Sequence, residues 1–373
     1  MMRLLLVLFV LVAFSHSLAH AYSFPSGKLG ENFKGSVGVV VPTHSMNVAR
    51  SAHTSTLLPN GQVLVAGGMV REGDILDSAE IFDPATDTFT AIETMNQARV
   101  GHAAILLHDG RVLIVGGFVG RNETASAEIY DSQQGEFKTI GEMTTPRGGF
   151  TATLLLDGRV LITGGEFDGE LATAEIFNPL TNSFTATGNL IEARAAHTAT
   201  LLLDGRVLIT GGIRDNQVLA TAEIFDPITG TFSAAGHMNS QRRTHAAVLL
   251  TDGEVLILGG STEEDWDTRL NSVEIYNPQQ DAFAYYPASM RQERFKLGSS
   301  VTTLNNGQVL IVGGDTTVEV LDVQVGVFQD AAGQVDADRF NSTATQLNDG
   351  RVLIAGGYDY DIRATDQAWL YIP

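Results

Sequence analysis

The sequence predicts an all-β fold, a seven-bladed β-propeller of four-stranded antiparallel blades, and three observations predict it. An apolar run that ends in two glycines recurs seven times, at 63–68, 112–117, 160–165, 207–212, 255–260, 309–314 and 352–357. An Asn-Gly or Asp-Gly pair precedes every run. The first glycines of the doublets, Gly67, Gly116, Gly164, Gly211, Gly259, Gly313 and Gly356, are spaced by 49, 48, 47, 48, 54 and 43 residues. Such a period, with glycine doublets closing strands, suits radiating sheets and not stacked helix pairs.

Each unit reads as four strands. The first follows a basic residue, as at 53–58 and 197–202, and its small Ala and Thr residues suit the crowded innermost place. The pairs Asn60-Gly61, Asp109-Gly110, Asp157-Gly158, Asp204-Gly205, Asp252-Gly253, Asn306-Gly307 and Asp349-Gly350 then predict two-residue type I′ hairpin turns. The second strand is the apolar run, apolar on both faces because blades pack face to face. The third is an Ala-Glu-Ile-Phe-Asp-Pro segment, as at 79–84 and 222–227. The fourth carries an aromatic: Phe89, Phe137, Phe184, Phe232, Phe283 or Phe328.

A doublet of glycines, a glutamate-bearing strand ending in Asp-Pro and an aromatic outer strand resemble the kelch repeat, in the galactose oxidase/kelch-like superfamily. The resemblance covers nearly the whole chain and departs from kelch in having Phe where Trp is usual, which brings it nearer to the bacterial secreted type. It does not carry oxidase activity with it. The copper–radical chemistry of galactose oxidase needs a Cys–Tyr crosslink, and this chain has no Cys. No cofactor is expected.

The seventh unit stops at 368–373, the third-strand place, so the stretch 32–42 is expected to complete the last blade and close the ring. Two registers stay open: composition favours Phe33 at the outer aromatic's place, and spacing to Met46 favours Val40. Residues 1–21 read as a signal peptide, with Arg3, an apolar run over 4–14 and Ala19-His20-Ala21 as the cleavage site. The run falls short of the roughly 20 residues that span a bilayer. One domain over 22–373 is therefore expected, secreted or periplasmic, with no membrane insertion after cleavage. Export without Cys points to a bacterial envelope or medium and rules out a lipid anchor on cysteine. There the sequons at Asn122 and Asn341 carry no meaning. A net charge of −20 repels phosphate backbones, so no nucleic-acid partner is expected.

Strand parity places the second-to-third loops and the inter-blade connectors at one mouth of the channel. Seventeen positions before each first doublet glycine stands a basic residue: Arg50, Arg99, Arg147, Arg194, Arg242, Lys296 or Arg339. Three positions further on stand His53, His102, Phe150, His197, His245, Ser299 and Ser342. Two readings of the ring stay open. The guanidinium groups converge to bind a carboxylate or another anion, or each pairs within its own blade with Glu80, Glu128, Glu175, Glu223, Glu274 or Glu319. The histidines stand on separate blades, so no metal site is expected.

Individuality lies in the loops. Blade 5 has the longest, 261–271, with Trp266 among acids; blade 7 offers Tyr358 and Tyr360; blade 6 has only Asp315-Thr316-Thr317. A ligand groove over blades 5 to 7 follows, in which Trp266, Tyr358 and Tyr360 stack on a sugar ring or peptide side chain. Trp266 folding back as a plug over its own blade stands beside that reading. Asp168, Glu170, Asp215, Asp315 and Asp359 lie near the mouth, but their spacing selects no catalytic pair. No nucleophile elbow, phosphate-cradling loop or His-Glu-x-x-His motif occurs, so no catalytic residue is assigned. The expectation is an exported scaffold that binds a protein, peptide or glycan at its channel mouth. The alternatives are a carbohydrate-active propeller such as a sialic-acid mutarotase, and a structural subunit of an envelope assembly.

Overall fold

The computed structural model describes residues 37–263 and 268–373. The leader, the Phe33 register and Trp266 lie outside the described residues.

Seven four-stranded antiparallel sheets carry the fold. In blade 1, Thr54–Leu57, Val63–Ala66, Ala79–Asp83 and Thr88–Ala91 pair in chain order. Blades 2 to 6 repeat that order. In blade 7, Thr343–Gln346, Val352–Ala355 and Ala368–Ile372 are joined by an outer strand, Val39–Pro42, from the other end of the chain. Val40 stands opposite Tyr371, the place that Phe89 takes opposite Phe82 in blade 1. Blades 2 and 4 add a short hairpin in their second-to-third loops, Phe118–Val119 with Asn122–Glu123 and Ile213–Arg214 with Gln217–Val218.

The second strands are buried on both faces because each serves two cores. Leu64 and Ala66 of blade 1 pack on Val112 and Ile114 of blade 2. The opposite face of the same strand, Val63 and Val65, packs on Leu353 and Ala355 of blade 7. The alternation continues around the ring, so a cluster of this kind fills each space between neighbouring blades. Each Val, Leu or Ile so buried contributes about 1.5–3 kcal/mol. The outer strands add aromatic pairs such as Phe82 with Phe89, whose ring centroids lie 4.9 Å apart.

The hairpin turns differ from the type I′ expectation. Leu58 N donates to Gln62 O and Gly61 N to Leu58 O, which closes a three-residue loop with Gly61 at φ +86°. Asn60 does not share the positive φ, and its Oδ1 accepts from Gln62 N instead. This is a type I turn followed by a left-handed glycine, and an Asn-Gly or Asp-Gly pair satisfies it as readily as type I′. The glycine doublet has a second reason. A Cβ on Gly67 would stand 2.7 Å from both Arg99 O and His102 Cε1, and one on Gly68 would stand 2.6 Å from Ser51 O. Connectors of two blades press on the doublet, leaving no room for a side chain.

Candidate functional site

The basic ring resolves into a clamp inside each blade. Arg50 Nη1 donates to Gly67 O at 2.8 Å and Ser78 O at 3.1 Å, while its Nη2 reaches Glu80 Oε1 at 2.8 Å. Glu80 also accepts from the backbone amides of Asn47 and Val48, at 2.7 and 3.1 Å. One arginine thus ties the connector, the doublet strand and the third strand together. Arg99–Glu128, Arg147–Glu175, Arg194–Glu223 and Arg242–Glu274 repeat the arrangement, with each arginine 0 % exposed.

Blade 6 corrects the spacing rule. Its clamp is Arg294, bonded to Gly313 O and Glu319, and not Lys296 two residues later. Blade 6 carries two extra residues between clamp and strand, so counting back from the doublet lands on the wrong side chain. Counting forward finds the clamp, because Met46, Met95, Met143, Met238 and Met290 each stand four positions before their arginine. In blade 7, Arg339 pairs instead with Asp336, at 2.6 Å. The anion-binding reading of Arg50, Arg99, Arg147, Arg194, Arg242 and Arg339 gives way to the architectural one, since the first five are buried against a carboxylate and a glycine carbonyl, Arg339 is buried with its guanidinium on Asp336, and none of the six lines the channel.

The histidines are stitches between blades. Nε2 of His53, His102, His197 and His245 meets the hydroxyl of Thr343, Thr54, Thr151 and Thr198, each on the preceding blade, at 3.0–3.2 Å. Burial pushes all four imidazoles down, His102 and His197 to about 3, so they are neutral at ordinary pH. In blade 6 the equivalent place is held by buried Leu297, not Ser299.

Two residues after each clamp arginine the backbone turns left-handed: Ala52, Gly101, Gly149, Ala196, Thr244, Lys296 and Asn341 have φ between +48° and +61°. These residues form a collar, parts of which are linked blade to blade by backbone hydrogen bonds such as Thr244 N to Ala196 O and Leu297 N to Thr244 O. Below the collar lies a channel of about 660 Å³, walled by small residues, threonine and serine hydroxyls and three of the four neutral histidines. Lys296 is the one lysine or arginine in that lining among the described residues.

Beside Lys296 the sevenfold regularity breaks. Lys296 Nζ donates to the Tyr358 hydroxyl and lies 5.2 Å from the ring centroids of both Phe295 and Tyr358. The Arg269 guanidinium sits 5.1–5.5 Å from the rings of Phe295, Phe340 and Tyr360. Phe340 meets Phe295 and Tyr360 edge-on, with centroids 5.2 Å apart in both cases. Burial and the nearby Arg243 and Arg269 push the Lys296 amine down to about 8. Burial raises the Tyr358 phenol to about 12.

Of the aromatic residues singled out from the sequence, Tyr358 and Tyr360 therefore come together, but in different roles. Tyr358 is buried against the lysine, whereas Tyr360 is 56 % exposed, with Phe340 and the Arg269 guanidinium against its ring. Phe295, Phe340 and Arg269, which sequence reasoning did not single out, complete the cluster with Lys296, which it had placed in the basic ring. The mouth acids stay dispersed: Asp315 caps Thr317, Asp359 caps Asp361 and Arg363, and Glu170 accepts from Asp215 N. Asp168 bends the blade 3 loop at φ +54°.

The Kelch motif model matches residues 50–96, 99–144, 194–239 and 242–288, which cover blades 1, 2, 4 and 5. No curated protein matches the sequence. Among solved structures the chain is similar to a fungal alcohol oxidase of the AA5 family, described in complex with copper. Identity is 17 %, TM-score 0.75, with 91 % of this chain and 77 % of the other covered. That likeness concerns the fold. The residues here do not fit copper: the histidines are spread over separate blades and bonded to threonine, and no group of three or more His, Cys, Asp or Glu among the described residues is placed to hold a metal. Motif, blade count and glycine-doublet architecture agree: the chain is a seven-bladed kelch-repeat β-propeller.

Proposed function

We propose that the chain is an exported binding propeller, released by cleavage after Ala21, that takes a glycan or peptide at the channel mouth over blades 5 to 7. The observation that carries this reading is the asymmetric cluster around Lys296, Tyr358 and Tyr360 on a face otherwise built of repeated clamps. A repeated feature serves the ring; a feature present once serves a ligand. The exposed Tyr360 ring supplies a stacking face, and the hydroxyl-lined channel below accepts polar groups.

The test uses protein recovered from the periplasm or medium, where intact mass should show Tyr22 as the first residue. Labelled protein is applied to glycan and peptide arrays. Tyr360→Ala is expected to weaken the strongest array ligand about tenfold, the equivalent of about 1.4 kcal/mol. Arrays silent for the wild type, or affinity unchanged in Tyr360→Ala, would overturn the proposal.

A further inference from the structure

We propose that Lys296 is a nucleophilic amine that captures a carbonyl ligand, an aldehyde or the open-chain form of an aldose, as an imine at the channel neck. The inference deepens the channel-mouth reading and rests on it for ligand access.

Three independent observations point to it. The first is the choice of cation. The chain has 23 basic residues, of which only Lys28, Lys34, Lys138 and Lys296 are lysines. Every clamp is built on arginine, including Arg294 two residues away. A guanidinium stays charged at any working pH and is no nucleophile, whereas an amine in a desolvated place sheds its proton.

The second is position. Every blade makes the same left-handed turn at the collar, and the other six fill it with Ala, Gly, Thr or Asn; blade 6 alone places a long amine there, at Lys296.

The third is the setting. Lys296 lines the channel, and its Nζ donates to the Tyr358 hydroxyl and lies 5.2 Å from the centroids of two aromatic rings. With the amine pushed down to about 8, about a tenth of it is neutral at pH 7, against roughly one part in three thousand for an ordinary lysine. Tyr358 stays protonated throughout that range. The polar threonine and serine residues of the channel wall, Ser299 among them, suit a polyhydroxylated body.

The step balances without a further reactant. The neutral amine's lone pair attacks the carbonyl carbon, a C–N bond forms, and the carbonyl oxygen takes a proton. The carbinolamine then loses that oxygen as water, which carries away both protons that began on the amine. The Tyr358 hydroxyl, bonded to Nζ, relays the proton to the departing oxygen. Water reverses the reaction.

Glyceraldehyde with sodium cyanoborohydride, which reduces the imine to a stable amine, reads this directly at pH 7 by peptide mass mapping of the full exported protein. Lys138, exposed on the outer strand Glu136–Thr139, is the internal standard. Lys296 is expected to be alkylated at least tenfold faster than Lys138. Tyr358→Phe should slow Lys296 at least threefold and leave Lys138 unchanged, whereas a merely structural tyrosine would leave the ratio unmoved. Lys296→Arg keeps the charge and should show no adduct at that site. Labelling of Lys296 no faster than Lys138 overturns the inference, and if array binding persists the binding reading stands without it. Rapid labelling beside silent arrays upholds the amine and overturns the glycan or peptide ligand.

Discussion

Arg194→Met is expected to lower the stability of the propeller by about 3–5 kcal/mol. The arginine side chain is fully buried, and Glu223 Oε1 accepts from it at 2.8 Å. Met fills much of the volume but donates nothing. The carboxylate keeps only the amides of Ile191 and Glu192, the Gly211 carbonyl loses the arginine as its donor, and the Thr221 carbonyl keeps only the Gly211 amide. An unpaired charge left in the interior is the expensive state, far more so than replacing both partners together. Arg214 is the control, since its ion pairs with Glu192 and Asp215 are exposed. Arg214→Met should shift stability by less than about 0.5 kcal/mol. Denaturant midpoints of the two variants check the contrast, and equal shifts would remove the clamp from its structural role.

Tyr371→Ala should cost about 3–5 kcal/mol, the range for losing a large buried aromatic. The ring is buried between blades 6 and 7 with Val40, Trp369, Leu310 and Val320. Its hydroxyl donates to Val37 O at 2.9 Å, which ties the entering chain to the last blade. The substitution therefore opens a cavity and loosens Val39–Pro42, the strand that completes blade 7. Limited proteolysis should cut the variant near residues 37–42 before any other blade is cleaved. A cost no larger than that of Tyr360→Ala, at the exposed ring, would contradict the packing described for blade 7.

The repeat was legible because it rests on local chemistry that every blade must satisfy. Doublets such as Gly67-Gly68 are forced by neighbouring connectors, apolar runs such as 63–66 by two cores, and the Asn-Gly and Asp-Gly pairs by a left-handed turn residue. The turn type was not legible, since Asn60-Gly61 fits either geometry and the deciding bond, Leu58 N to Gln62 O, depends on strand register. The insertion in blade 6 hid Arg294 behind Lys296 because the spacing was counted from one side only. The mouth cluster lay beyond sequence reasoning for a different reason. Arg269, Phe295, Phe340 and Tyr360 come from three blades and meet only once the ring has formed. Sequence reasoning singled out the loop that carries Tyr358 and Tyr360 and counted Lys296 into the basic ring, but it did not single out Phe295 or Phe340.

The clamp arginines and Lys296 are divided by their settings. The clamp arginines tie each blade together from within, and Lys296 at the channel neck is held beside two arginines, two aromatic faces and a phenol. The division has a direct electrostatic reading. The four lysines are reductively methylated with a ¹³C label and each methyl resonance is followed through pH, with Lys296→Arg identifying its signal. Lys296 should titrate near pH 8, more than two units below the ordinary lysine value near 10.4. A Lys296 resonance titrating at that ordinary value would contradict the account.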